Sequence, residues 1–536
     1  MSFMTGLFIL FPALCLCFFV ALAGRWRNRP PLPPGPRSMI PWIGNLDALP
    51  RSGQKEYLHW LRHRDLYGPI SSVTVMSQTF VILNDVSLAF EMLEKRGVIY
   101  SSRPRQVFCG DMIGWSQSVA LSPYSDRLRL HRKYTMRVLG SPTAAARFEP
   151  MQEKEAAHFL ARILESPGDL VEHIRSEAGS FILNLVYGYK TNKQGSDPLV
   201  DLAHKVMEEF AQASLPGEYL VDLIPWLRLV PDWVPGMKFK RVARYWQHNL
   251  TRMTEIPYAF VRHKMETQQH SDCFLSELLR AAKDESSHKW TALSLYSAGA
   301  DTARRPTSED WTVSALSTFI LAMTLYPHVQ SKAQAEIAEV IGENRLPTFN
   351  DRSDLPYINA LVKEVLRWHP VTPMALPHTN VESDVFHGYF IPKESIILPN
   401  VWAFMHDPST YHDPMTFMPE RFLSLEGQIP ELDPRKMAFG FGRRLCPGRL
   451  LAESSVFIIV AQFLAVFEVK TRQNNQDDNH KQVSPEFQPG VISHPAPFDF
   501  RVRARGPQCE ALILGAQDGH PWLASDAHTL AHLGFR

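Results

Sequence analysis

One of the six cysteines of this 536-residue chain, Cys446, stands in a setting suited to metal chemistry. The chain there reads Phe439-Gly-Phe-Gly-Arg-Arg-Leu-Cys446-Pro-Gly448, with Arg444 two residues before the thiol. The apolar run that follows, Leu450 to Val460, reads as a helix. Glycines allow turns closed to other residues and let the backbone approach a flat, bulky cofactor. A thiolate presented from such a turn can ligate iron, and its electron donation favours O–O cleavage. A buried structural thiol is the plainer alternative. The other cysteines (Cys15, Cys17, Cys109, Cys273, Cys509) form neither a C-x-x-C pair nor a disulfide ladder, which fits reduced, cytosol-facing thiols.

Further chemistry-bearing residues precede this loop. Glu364 and Arg367 lie three apart in a predicted helix over 355–369, so they share a face and can pair. Pro419-Glu420-Arg421-Phe422 adds another arginine. Ala298-Gly299-Ala300-Asp301-Thr302 places an acid and a hydroxyl beside Leu293, Leu295 and Tyr296, where burial is costly without partners. A helix cap at Asp301 is the alternative there. In this order, and with F-x-x-G-x-R-x-C-x-G complete at 439–448, the chain resembles the cytochrome P-450 family from about Pro30 to Arg505.

The resemblance implies a mainly α fold with a small β region, preceded here by one N-terminal transmembrane helix. It implies haem b with Cys446 as axial ligand, in a loop shaped by Phe439, Gly442 and Gly448. Arg132, His378 and Arg444 would hold the propionates, although Leu128 stands where the family's W-x-x-x-R has tryptophan; a leucine donates no hydrogen bond. Glu364, Arg367 and Arg421 would form a buried structural cluster beneath the thiolate loop. Gly299 would open the helix for dioxygen, with Asp301 and Thr302 handling protons. By the same analogy Phe108, Met112, Ile113, Trp115, Ala298, Met374, Ala375, Leu376, Val491 and Ile492 line an apolar substrate pocket, and Leu220–Phe239 dips into a membrane. O2 is the implied co-substrate. NADPH would act only through a partner NADPH–cytochrome P-450 reductase, with cytochrome b5 as an additional donor. The chain resembles fungal microsomal members, particularly those of mushroom secondary metabolism, which implies a lipophilic substrate such as a terpenoid. Two rival readings are an isomerase or dehydratase of the same fold, and a catalytically impaired haem binder.

The elements around these residues divide the chain into four parts. Residues 1–24 read as a membrane anchor: Phe3 to Ala23 is apolar and uncharged, about the twenty residues a bilayer core requires. Arg25, Arg27 and Arg29 follow, which places the catalytic part in the cytosol, at the endoplasmic reticulum membrane as a single-pass protein. A cleaved signal peptide is the competing reading, under which Asn249-Leu-Thr251 becomes a glycosylation acceptor. Residues 25–41 form a basic, proline-rich hinge, 42–505 the catalytic domain and 506–536 a tail without assigned role. Helices are predicted over 126–140, 150–166, 199–213, 240–283, 289–302, 312–342 and 355–369. Strands are predicted as a hairpin over 70–83 turning at Ser77-Gln78, and as Val385–Tyr389 and Ile396–Leu398. Net charge is +1, and no basic–aromatic patch suggests nucleic acid. No G-x-G-x-x-G follows a strand, so no nicotinamide or flavin module is attached. His59 and His63 lack the glutamate of a zinc motif.

One segment departs from the family pattern. Thr312-Val-Ser-Ala315, which ordinarily continues directly from Asp-Thr, comes nine residues late, after Ala303-Arg-Arg-Pro306-Thr-Ser-Glu-Asp-Trp311. Without 303–311 the flanks would make one helix of about 27 residues and about 40 Å. With it, Pro306 falls four residues after Thr302, and a continuous helix would be penalised by about 3 kcal/mol.

Overall fold

The computed structural model describes residues 30–533, apart from 38–42, 52, 194–195, 216, 282–283, 300–310, 425–426, 428 and 472–484. The expected anchor 1–24, Asp301, Thr302 and residues 303–310 of the insertion lie outside the described residues. The rest is mostly helical with three small sheets, as expected.

The helices end where local chemistry stops them. The stretch predicted as 312–342 is two helices, Trp311–Leu325 and Pro327–Val340. Proline disfavours the helical region for the residue before it, so Tyr326 leaves it, while Pro327 is well placed at the first position of the next helix. The stretch predicted as 240–283 also divides, into Lys238–Glu266 and Phe274–Ala281. Gln268 adopts a positive φ of 55° between them. One long helix, Leu170–Tyr187, went unpredicted; it ends at Gly188 in the left-handed conformation that glycine tolerates. Its mid-helix Gly179-Ser180 pair weakens the helical signal in the sequence.

In the main sheet the strand order is β1 (Ile70–Val75), β2 (Gln78–Leu83), β6 (Ile396–Pro399), β3 (His378–Thr379). The first hairpin turns at Met76-Ser77, one residue earlier than expected, because Val75 pairs with Gln78 and both turn residues have positive φ. The predicted strand 385–389 is instead a hairpin of β4 (Asp384–Phe386) and β5 (Tyr389–Ile391), turning at His387-Gly388. β7 (Phe467–Thr471) and β8 (Phe500–Ala504) form the third sheet. The proline-rich segment is pinned to this framework: the Ser72 amide donates to Pro34 O at 2.8 Å and the Phe390 amide to Pro31 O at 2.8 Å. A Cβ on Gly35 would stand 1.9 Å from Ser72 O, so only glycine fits.

Two large cores flank the centre. One joins residues 107–115 with helices Leu170–Tyr187, Pro198–Ala213, Lys238–Glu266 and Glu285–Gly299. The other joins Glu149–Glu165, Trp311–Leu325, Pro327–Val340, Pro356–Trp368 and Arg449–Val466. Among the described residues, Arg449–Val466 is the one helix long and apolar enough to cross a membrane, and it is mostly buried in this second core.

The tail, given no role from the sequence, packs onto the domain. Helix Pro507–Gly519 buries Ile513 in the second core, and helix Ala527–His532 buries Leu530 in the first. Trp522 stacks on His158 at 3.8 Å. Ile513→Ala should therefore cost about 2–5 kcal/mol in denaturant unfolding. A change below about 0.5 kcal/mol, the surface value, would show the tail to be a mere appendage.

Candidate active site

The Cys446 loop is built by two glycines and a ladder of short backbone bonds. Gly440 and Gly442 take φ of 80° and 50°. A Cβ on Gly442 would also come within 2.4 Å of Leu93 O, so the loop is held tightly against residues 91–95. The Cys446 amide donates to Phe439 O at 2.8 Å, closing the turn. A Cβ at Gly448 would touch the sulfur at 3.9 Å. Behind the loop lies a small cavity of about 60 Å3. Ala315, Leu366, Val371, Ala438, Phe439, Ala452, Glu453 and Val456 line it, so it is apolar but for one carboxyl.

Near the Cys446 loop four basic side chains converge without a carboxylate partner among the described residues. Arg132 donates to Leu445 O, next to the thiol, at 3.0 Å. Arg444 donates to Ser101 O, Val119 O and Ser122 O at 2.6, 3.1 and 2.6 Å. Arg103, which sequence reading missed, donates through Nε to Ala120 O at 3.0 Å and through Nη1 to Leu376 O and Pro377 O at 2.9 and 2.8 Å. His378 bonds Tyr100 O through Nδ1 at 2.8 Å. Every partner is a backbone carbonyl, and none of the four pairs with a carboxylate among the described residues. Burial, then repulsion from Arg132, lowers the Arg444 pKa to about 9. Burial likewise lowers Arg103 well below its ordinary value, with Arg444 and Arg132 adding to it, and lowers Arg132 and His378. Each group is disfavoured as a cation, and an anion bound between them would reverse that. Leu128 is fully buried and offers no donor, so Arg103 is the additional cation in this cluster. Its signal in the sequence, an arginine in Ser101-Ser-Arg103-Pro, is too short to distinguish from a surface loop.

Glu364, Arg367 and Arg421 are brought together and are closed to solvent. Arg367 grips Glu364 with two hydrogen bonds, at 2.7 and 2.8 Å, and Arg421 adds a third at 3.3 Å. Arg367 also donates to Met405 O, Pro414 O and Thr416 O, and Arg421 to His412 O and Glu431. The helix Pro356–Trp368 is thereby fastened to the irregular chain that leads to Cys446.

The expected pocket residues do not share one wall. Phe108, Ile113 and Trp115 are buried in the first core, with Met112 packed against it. Met374 packs instead with Tyr57, Trp60 and Trp402 in a separate cluster. Ala375 packs against the sheet-side core, and Leu376 contributes its carbonyl to Arg103. Ile492 is buried and Val491 exposed, beside Ser493, whose amide donates to the carbonyl of the cavity residue Val371 at 2.9 Å. Ala298 is exposed near the end of helix Glu285–Gly299. A Cβ at Gly299 would lie 2.9 Å from Ile182, so this glycine serves helix packing here.

The sequence profile of the cytochrome P-450 family matches residues 33–502. This chain belongs to the cytochrome P-450 family. It is 44% identical over 509 residues to cytochrome P-450 monooxygenase claR of Ampulloclitocybe clavipes, covering 94% of this chain and 92% of that protein. It is 44% identical to cytochrome P-450 monooxygenase ppsD of Aspergillus oryzae, over 97% of this chain and 98% of the relative. O-methylsterigmatocystin oxidoreductase of Aspergillus flavus is 40% identical, over 93% of each chain. The protein is accordingly an oxidoreductase of the monooxygenase type, and P-450 membership implies haem iron held by a cysteine thiolate, use of O2, a small-molecule substrate and redox partners. The residues present fit the group: a thiol presented by the glycine loop, with a cluster of cations that reaches that loop through Arg132 and could take the two haem carboxylates.

Replacing one of those cations should act oppositely on the two forms of the protein. Arg103→Gln relieves repulsion in the haem-free protein, so its thermal midpoint should hold or rise. In the haem-loaded protein it removes an anion partner, so haem should dissociate faster, by about tenfold for a lost charged hydrogen bond. Equal destabilisation of both forms would make Arg103 a packing residue only.

Proposed function

We propose that this cytochrome P-450 is a membrane-anchored haem-thiolate monooxygenase that inserts one atom of O2 into a lipophilic small molecule of secondary metabolism. Electrons come from a separate NADPH–cytochrome P-450 reductase, with cytochrome b5 as an additional donor. The observation that carries the reading is the cluster of Arg103, Arg132, Arg444 and His378, which has no carboxylate partner among the described residues and reaches the Cys446 loop through Arg132. Haem, when bound, supplies dioxygen binding and reductive O–O cleavage. Cys446 Sγ would hold the iron, and the basic cluster would hold the haem carboxylates. Phe439, Gly442 and Gly448 shape the loop around the sulfur, while Glu364, Arg367 and Arg421 keep its supporting chain in place. The Asp301 carboxyl and the Thr302 hydroxyl would hold and move protons for the oxygen chemistry the haem would supply. The retained acid–threonine pair favours oxygenation over isomerisation or dehydration.

The apolar segment 3–23 and the arginines after it support an anchor in the endoplasmic reticulum membrane with the catalytic domain in the cytosol. A second apolar surface supports the same bilayer as its neighbour: Leu220, Leu223, Trp226, Leu229 and Trp233 are all exposed. The Asn249 sequon bears less on orientation than its sequence suggests. Its side chain is buried and donates to Glu209 at 2.6 Å, so the folded protein offers no glycan acceptor there.

Reduced, CO-bound protein should show the red-shifted Soret band of thiolate ligation; Cys446→Ser should lose it and Cys109→Ser keep it. Persistence of the band in Cys446→Ser would remove the ligand assignment. With reductase, NADPH and 18O2, product should carry one labelled oxygen, whereas turnover without reductase would favour the isomerase.

An impaired enzyme is the second reading, favoured by the nine-residue insertion 303–311, which puts Pro306 four residues after Thr302. Deleting 303–311 should raise NADPH-driven turnover and its coupling to product. Equal, well-coupled turnover by both forms would refute the impairment.

A further inference from the structure

Outside the Cys446 site, the tail covers a buried group of ionisable side chains. Glu155, His158 and Arg162 share one face of helix Glu149–Glu165, at spacings of three and four, and Glu177 comes from helix Leu170–Tyr187 packed against it. All four are more than nine-tenths buried. The tail lies over them. His158 Nε2 bonds His520 O at 2.7 Å, Trp522 stacks on the His158 ring, and the Arg162 guanidinium stands 4.8 Å from the centre of the Trp522 ring. Bonding a carbonyl puts the His158 proton on Nε2, which leaves Nδ1 an acceptor. Its neighbour at 3.8 Å is Glu155 Oε2, another acceptor and too far for a direct bond. Among the described residues, Glu155 Oε2, His158 Nδ1, Glu177 Oε2, the Trp522 indole N–H and every nitrogen of Arg162 are closed to solvent and find no protein hydrogen-bond partner.

So many buried donors and acceptors are severely penalised if they stay dry. The charges also do not match, since Arg162 can neutralise one carboxylate and two are present. Burial pushes Glu177 up to about 8; Glu155 adds to the rise and Arg162 opposes it. Burial lowers Arg162, while Glu155, Glu177 and Glu165 pull the other way. Lys193 reaches the Trp522 ring at 5.7 Å. Helix Trp311–Leu325 also packs on Leu170–Tyr187 and brings no ionisable side chain. Cys273 and helix Glu285–Gly299 meet that helix at its other end, near Ile182 and Tyr187. We propose that the two helices and the tail enclose a binding site for water and one exchangeable proton, with Arg162, Glu155, His158 and Glu177 as its ligands and Trp522 as its seal. Water suits the site because its oxygen accepts from Arg162 while its hydrogens reach His158 Nδ1 and Glu155. It is also neutral, as one guanidinium, one carboxylate and one carboxylic acid require. Tail docking and the proton are therefore linked: with the seal open, solvent enters and Glu177 releases its proton at lower pH.

The test uses the full-length, haem-loaded protein and infrared spectroscopy, which reads the carbonyl stretch of a protonated carboxyl group. The difference between wild type and Glu177→Gln at neutral pH should contain that band, and the band should fade as pH rises through about 8. A difference holding only carboxylate bands would overturn the proton. Trp522→Ala, measured against its own Glu177→Gln partner, should bring the midpoint down by about one pH unit or more. Trp522→Phe, which keeps the stack, should stay near wild type. Equal midpoints in wild type and Trp522→Ala would overturn the seal. Stability gives a second readout. The folded value lies above the ordinary 4.5, so the stabilisation is complete below about 4.5 and is lost as pH rises to about 8. Across that window the unfolding constant of wild type relative to Glu177→Gln should grow at least about tenfold and then level off; a ratio independent of pH would overturn the proposal. If Glu177→Gln does not fold, the difference between Trp522→Ala and wild type at neutral pH decides instead: the acid band should be lost, and its persistence would count against the site. A crystal structure that resolves water should show water bonded to Arg162 and to Glu155 or Glu177. Direct contact between Arg162 and Glu177 with no water between them would remove the water site.

Discussion

The arrangement turns on one buried carboxylate. Glu364 has no access to water, and an isolated charge there would be untenable. Two guanidiniums neutralise it, and their remaining donors are satisfied by carbonyls of residues 405–416. The Met418 amide adds a further bond to Glu364 at 2.8 Å. An irregular stretch of chain, with little secondary structure of its own, thus acquires a fixed shape from side-chain donors. Breaking such a buried network by removing one partner typically costs about 3–5 kcal/mol, because the other charge is left exposed to the low-dielectric interior. The thiolate loop inherits its position from this fixed stretch.

A few residues away the charge balance is the opposite. The Glu364 cluster is complete within the chain, with acid and base in contact. The cluster of Arg103, Arg132, Arg444 and His378 is not, since its hydrogen bonds end on carbonyls and its charges repel. Carbonyl bonding orients these side chains, but it leaves their charge uncompensated. The contrast is between a cluster whose charges are matched within the fold and one whose hydrogen bonds end on carbonyls among the described residues. Arg132 links the cation cluster to the thiol loop, because its acceptor is the carbonyl immediately before Cys446.

Much of this was readable from the chain because the information was local. Proline at the start of helix Pro356–Trp368, the i, i+3 spacing of Glu364 and Arg367, and glycines at positions of positive φ express themselves over a few residues. The boundaries that were misplaced also have local causes, such as Tyr326 before Pro327, where the proline restricts the residue ahead of it. The hairpin at Asp384–Ile391 was read as one strand because its turn, His387-Gly388, occupies only two residues. Leu170–Tyr187 escaped because a glycine and a serine at its centre mask a helix that tertiary packing sustains.

By itself the sequence determined the mainly helical class, the thiol-bearing glycine loop, the order of the acid and arginine motifs and the family these imply. These depend on residue identity and short spacing, which a linear chain carries in full. Only the tertiary structure decided that Arg103 joins the cations near Cys446, that the tail completes both cores, that Asn249 is buried and that Met374 packs away from Phe108. Each of these depends on which distant segments share a space and on whether a charge there finds its counter-ion, and neither is a property of any local run of residues.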